Sequence, residues 1–114
     1  MHELGIVFHV IDLVEEVGAQ NELTSVHSVT LELGEVSAVI DTYLQDCWKW
    51  AVERTELMKG CELIIETAPA VTICNDCGKT YPTVEHGKTC PHCGSTNTVL
   101  LTGNQMELKQ IEGW

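Results

Sequence analysis

One stretch limits the possible folds more than any other. It is "CNDCGKTYPTVEHGKTCPHC", which sets Cys74, Cys77, Cys90 and Cys93 as two C-x-x-C pairs with 12 residues between them. Two residues between thiolates let one tight turn offer both sulfurs to a tetrahedral ion, and two such turns complete a four-sulfur shell. Gly78 and Gly94 follow the two pairs. Glycine tolerates the left-handed backbone that such turns often require, so neighbouring amides can point at sulfur. The ion expected from this spacing is zinc, held structurally, with no open position for catalysis. The alternatives are an iron site of rubredoxin type and two redox disulfide pairs. A redox C-x-x-C normally opens a helix of a larger thioredoxin-like domain, which a segment this short does not supply.

The remaining chain reads as one small domain interrupted by that segment. Leu4, Val7, Phe8, Ile11 and Val14 recur at helical spacing up to Val17, with Glu15, Glu16 and Gly18 marking an exposed face and a stop. Val26 to Leu33 alternates as a half-buried strand ended by Gly34. Ser37 is a candidate cap for a second helix running to about Glu53, with Ile40, Leu44, Cys47, Trp48 and Ala51 on its apolar face and Gly60 ending any helix that remains. "CELIIET" and "QMELKQI" are strand-like. The expected fold is mixed α+β: two helices packed on a small three-stranded sheet, with an inserted four-cysteine zinc-ribbon module. Residues 1–69 and 104–114 form the α/β domain of this reading, and residues 70–103 the zinc-binding domain. The insert has few large apolar residues, so metal binding should double as its folding free energy. Removing the ion should unravel the insert and leave the helix-and-sheet part folded.

Composition excludes several functions. Seventeen acidic against six basic side chains give a formal net charge of −11, which disfavours a nucleic-acid partner because phosphate affinity comes from Lys and Arg. Within the cysteine stretch Asp76 and Glu85 balance Lys79 and Lys88, and Tyr81 is the single aromatic. A basic face and a base-stacking platform are both missing. No apolar run approaches the roughly 18 residues of a membrane span, and the start lacks the basic-then-apolar order of a secretory signal. The expectation is a soluble, cytoplasmic protein without a membrane partner, in which six cysteines mean metal or redox chemistry rather than disulfides. No nucleophile, base and pocket can be assembled, so an enzyme is not expected.

The first residues, "MHE", carry a second metal possibility. A free, deprotonated terminal amine lies within chelate reach of the next amides and of a histidine imidazole at position two. Met1, His2 and Glu3 thus offer a compact planar nitrogen set, suited to nickel(II) or copper(II) better than to zinc. Glu3 adds an oxygen or acts from outside the shell. On residue type alone, the plainer reading of His2 is a polar residue at a frayed terminus. His9, seven residues on, is an ordinary helical surface residue or a neighbour on the same face. His27 shares the parity of Val29 and Leu31 and reads as half-buried. His86 and His92 sit in the zinc loops, with His92 a spacer inside "CPHC" rather than a ligand. Cys47 and Cys61 fall on apolar faces and read as buried free thiols. "HELGIVFH" misses the H-E-x-x-H metalloprotease spacing, because its second histidine falls at position 9.

Taken together, "MHE" at the start, "LELGEVSAV" leading into the second helix, and the paired C-x-x-C insert followed by "GNQMELKQIE" resemble the HypA/HybF family of hydrogenase maturation factors. The resemblance spans the chain end to end. It implies a nickel metallochaperone with a nickel-binding α/β domain and a zinc-binding domain, and not an enzyme. It implies His2 as the side-chain nickel ligand with the Met1 amine and Glu3 backbone beside it, Asp41, just after "GEVSA", as an acidic residue approaching the nickel, and zinc on Cys74, Cys77, Cys90 and Cys93. It further implies a HypB-type GTPase partner and delivery to the large subunit of nickel-iron hydrogenase, in some organisms also to urease and its accessory proteins. The competing reading is a zinc-ribbon adaptor that binds protein partners without carrying nickel. An exposed edge strand or a mobile insert leaves room for a homodimer or domain exchange.

Overall fold

A computed structural model describes residues 3–114; Met1 and His2 lie outside the described residues. The elements run α1 (Glu3–Gln20), β1 (Val26–Gly34), α2 (Asp41–Val52), β2 (Glu62–Ala68), β3 (Val71–Cys74), β4 (Thr80–Pro82), α3 (Thr83–His86), β5 (Thr98–Thr102) and β6 (Met106–Gly113). One three-stranded sheet has the order β2-β1-β6, and a second has the order β4-β3-β5. The mixed α+β class with two principal helices is as expected. The second sheet and the one-turn α3 give the inserted segment secondary structure that hydrophobic periodicity did not reveal. The chain forms two compact units, residues 3–31, 39–66 and 107–114 in one and residues 32–38 and 67–106 in the other.

In the first unit, α1 and α2 bury Ile6, Val7, Val10, Ile11 and Val14 together with Leu44, Trp48, Ala51 and Val52. Val26, Val29 and Leu31 of β1, with Met58 and Leu63, complete this core. The buried stripe of α1 is rotated from the expected one. Val10 and Ile6 are inside, whereas Phe8 is 43% exposed and meets Trp50 edge-on with ring centroids 6.2 Å apart. Phe8 thus finds an aromatic partner at the surface rather than a place in the core. Gly18 does not stop α1. The helix runs on to Gln20, and the missing side chain at Gly18 makes room for Leu57, whose Cδ2 would lie 2.8 Å from an added Cβ.

The second helix begins later than the candidate cap at Ser37. Ser37 donates its backbone N–H to the Gly34 carbonyl at 3.0 Å, closing a turn after β1, and Ala38 then adopts φ +64°. That left-handed residue cannot continue a helix, so α2 starts at Asp41 with Ile40 as an N-cap that makes no side-chain bond. Trp48 anchors α2: its ring is fully buried and Nε1–H donates to the Cys61 carbonyl at 2.9 Å. Ser28 and Thr30 are buried where strict alternation would expose them, on a central strand flanked along both edges by β2 and β6. His27, expected half-buried, is exposed, with its ring 5.1 Å from that of Trp114 and Nε2 3.6 Å from Glu112.

In the second unit, β3 is the central strand, antiparallel to β4 and to β5. Residues 32–38 belong to this unit through backbone contacts: Glu35 N–H donates to the Ala68 carbonyl and Val36 N–H to the Gly103 carbonyl, both at 2.8 Å. The Glu35 carboxylate accepts the Ala70 N–H at 2.9 Å. Gly103 has φ +125°, and a Cβ there would lie 2.4 Å from the Ala70 Cβ, so this crossing of chains requires glycine.

Candidate metal centre

Each cysteine pair sits in the same kind of turn. In the first, Gly78 N–H donates to the Cys74 carbonyl at 2.8 Å and Gly78 adopts φ +75°; in the second, Gly94 N–H donates to the Cys90 carbonyl at 2.8 Å with φ +77°. These are the left-handed glycines the spacing predicted. Behind the turns, Cys74 N–H donates to the Lys79 carbonyl and Cys90 N–H to the Ser95 carbonyl, each at 2.9 Å. Two similar hairpin tips result.

A polar clasp joins the tips. The Asp76 carboxylate accepts hydrogen bonds from the Ser95 hydroxyl and, at 3.2 Å, from the Asn97 amide, while Asn75 N–H donates to the Asn97 carbonyl at 2.9 Å. These hydrogen bonds hold the Asp76 carboxyl below its ordinary range, the Ser95 bond contributing most. Residue spacing gave no sign of this clasp. Its signal was only a short polar run, "STN", after the second pair.

The clasp and the two turns bring Cys74, Cys77, Cys90 and Cys93 together with all four Sγ atoms within 4.8 Å of one another. The Cys74–Cys93 and Cys77–Cys90 sulfurs are 3.5 Å and 3.7 Å apart. A tetrahedral ion with metal–sulfur bonds of about 2.3 Å requires sulfurs separated by about 3.8 Å, so the donor set fits a tetrahedral four-thiolate metal site. The electrostatics point the same way. The Cys77 amide, assisted by that of Asp76, holds the Cys74 thiol down to about 7. At Cys93 the Ser95 amide acts in the same direction but is outweighed by Cys74, by burial and by the other thiols, which push the group up to about 12. Four thiolates this close repel one another, and a divalent cation removes that repulsion. His92 contributes its backbone rather than its ring: its N–H points at Cys90 Sγ at 3.4 Å, and the side chain is exposed.

Among the described residues no other group of three or more possible ligands comes within reach of one ion. Glu3 is half-buried at the first position of α1, His9 is exposed on the same helix, and Asp41 is exposed at the first position of α2. The Met1 and His2 part of the expected nickel site falls outside the described residues. Cys61 is a buried thiol as expected, pushed up to about 11 by burial and by Glu62, whereas Cys47 is half-buried. No helix is long and apolar enough to cross a membrane, among the described residues.

The family model for hydrogenase/urease nickel incorporation, the HypA metallochaperone, matches residues 1–113. The chain belongs to this family. Relatives include the hydrogenase maturation factor HybF of Klebsiella pneumoniae, 33% identical with 99% of each chain covered. The hydrogenase maturation factor HypA 1 of Bradyrhizobium diazoefficiens is 35% identical over 98% of each. The solution structure of the nickel metallochaperone HypA from Helicobacter pylori superimposes with a TM-score of 0.75 at 27% identity, over 99% of this chain and 97% of that one. Membership makes the chain a nickel-incorporation metallochaperone of hydrogenase maturation, as the resemblance implied, and the reading as an adaptor that carries no nickel is not favoured.

Proposed function

We propose that the chain carries nickel(II) on its first three residues and delivers it for the assembly of nickel-iron hydrogenase. The Met1 amine, the His2 amide and Nδ1, and the Glu3 amide are the donors, with Asp41 a further neighbour. A structural zinc ion occupies Cys74, Cys77, Cys90 and Cys93. The observation that carries this reading is the closed four-sulfur set: every position of a tetrahedral ion there is taken, so a transferable cargo must sit elsewhere. A planar nitrogen chelate at a chain end suits nickel(II), holds it firmly and leaves one face open for ligand exchange. On this reading, residues 1–69 with 104–114 form the nickel-binding domain and residues 70–103 the zinc-binding domain.

The strongly acidic surface suits partners with a basic face, which raises encounter rates more than affinity. A HypB-type GTPase, the large subunit of nickel-iron hydrogenase and, in organisms that make it, the urease assembly proteins are the partners of this reading, all in the cytoplasm. Calorimetric nickel titration of the untagged chain, of His2→Ala and of a version with one residue added before Met1 tests it. The unaltered chain should bind one tight equivalent and both variants should lose it while retaining zinc. Equal binding by all three refutes the terminal chelate.

A further inference from the structure

Residues 83–88 are tied to the second sheet by one side chain from each of its three strands. The Thr72 hydroxyl of β3 bonds that of Thr83 at 2.6 Å; the Tyr81 hydroxyl of β4 donates to the Gly87 carbonyl and the Thr98 hydroxyl of β5 to the Lys88 carbonyl, both at 2.9 Å. A cavity of about 340 Å³ remains between this segment and the sheet, with Val36 and Leu100 as its apolar lining. It lies wholly within the second unit. The space holds about ten water-sized groups, and an apolar lining with a few convergent polar groups is what small ligands require.

Two polar features of the cavity call for a negatively charged acceptor. The first is charge. In a chain with 17 acidic and six basic side chains, the lining includes Lys88 and no carboxylate. The Lys88 ammonium has no carboxylate partner among the described residues. The second is a hydrogen count. The Thr72 and Thr83 hydroxyls bring two hydrogens to a pair that uses one of them in its mutual bond. Neither hydroxyl has a further partner among the described residues, and Thr72 is only 4% exposed, so one O–H is left without an acceptor from the chain. An unmet donor of this kind is costly until an acceptor reaches it. A carboxylate accepts from an ammonium and from a hydroxyl at once, through its two oxygens.

We propose that this cavity binds a carboxylate that carries a short aliphatic group, the carboxylate between Lys88 and the Thr72–Thr83 pair and the aliphatic part against Val36 and Leu100. A free small acid and the C-terminal end of a peptide with an aliphatic last residue both present this chemistry. A ligand of so few atoms binds at roughly millimolar concentration. This goes beyond nickel carriage and does not depend on it.

Amide proton–nitrogen correlation spectra of the zinc-loaded full chain, titrated at constant ionic strength with isovalerate, isovaleramide, inorganic phosphate and N-acetyl-leucine, test the site. Isovalerate should shift the amides of Thr83, Gly87, Thr98 and Leu100 along one saturable curve. Isovaleramide, which lacks the charge, and phosphate, which lacks the apolar part, should bind at least about fivefold more weakly. Lys88→Gln, at an exposed position that leaves the backbone carbonyl to Thr98 in place, should weaken isovalerate by about fivefold or more, Lys88→Arg should restore it, and Lys49→Gln, a lysine outside the cavity, should change nothing. Tighter binding of N-acetyl-leucine than of isovalerate identifies a peptide end as the natural ligand and the reverse identifies a free acid; either upholds the site. The absence of saturable shifts at about 100 mM isovalerate overturns the proposal, as do equal binding of isovaleramide and a folded Lys88→Gln chain that binds like the unaltered one. Phosphate binding more tightly than isovalerate overturns the ligand class.

Discussion

Chelation of the metal should unfold residues 70–103 and spare the first unit. Between these limits the buried apolar side chains are Ala70, Tyr81 and the two ligands Cys74 and Cys90. Tyr81, 3% exposed, with its hydroxyl donating to the Gly87 carbonyl at 2.9 Å, contributes about 2 kcal/mol. Ordering the backbone of strands of four, three and five residues costs roughly 12–24 kcal/mol. A structural zinc ion on thiolates supplies about 10–16 kcal/mol at neutral pH. Without it the segment has nothing of comparable size to hold it. The placement of fluorophores makes the test direct, because Trp48, Trp50 and Trp114 all lie in the first unit. After chelation, amide exchange at β3 and β5 should become as fast as in an unfolded chain, while Trp48 keeps the emission of a buried indole and amides of α1 and α2 stay protected. Persistent protection of β3 without metal refutes the reasoning, and so does a red shift to the emission of a solvated tryptophan.

Other consequences follow from single contacts. Trp48→Phe removes the donor to the Cys61 carbonyl and should cost about 1–3 kcal/mol in a denaturant titration; a change below a few tenths would mean the bond is immaterial. Gly103→Ala forces a side chain onto Ala70 at φ +125° and should lower the melting temperature by several degrees, for a cost on the order of 1–3 kcal/mol; an unchanged melting curve contradicts the close crossing. Cys61, pushed up to about 11 in the folded chain, binds its proton more tightly than in the unfolded chain, where thiols ionise near 8.5. Its contribution is full below that pH and is lost as pH rises towards 11. At pH 8 a thiol reagent applied to the zinc-loaded chain should modify half-buried Cys47 well before Cys61, and equal rates would refute the burial argument.

Much of this structure was legible because the informative residues act locally. The C-x-x-C spacing with its two glycines dictates the turns whatever surrounds them, and helical periodicity locates α1 and α2 from their own side chains. What escaped depended on tertiary neighbours. Phe8 lies on a plausible apolar stripe but is drawn to Trp50; Gly18 looks like a stop but makes room for Leu57; Ser37 looks like a cap but is used by a turn. Ser28 and Thr30 are polar yet buried on β1, which has a neighbouring strand along each edge. The strands of the insert are too short and too polar for a period to register, and the Asp76–Ser95–Asn97 clasp joins residues whose nearness only the folded hairpins create.

The account turns on where nickel is held. Preparing the full chain with a free and with an acetylated Met1 amine, both zinc-loaded, and titrating each with nickel(II) while recording the visible absorption of the ion addresses this directly. The free form should show a planar, diamagnetic nickel spectrum at one equivalent, and the acetylated form should lose it and bind at least about a hundredfold more weakly. Matching spectra and affinities would contradict a terminal chelate.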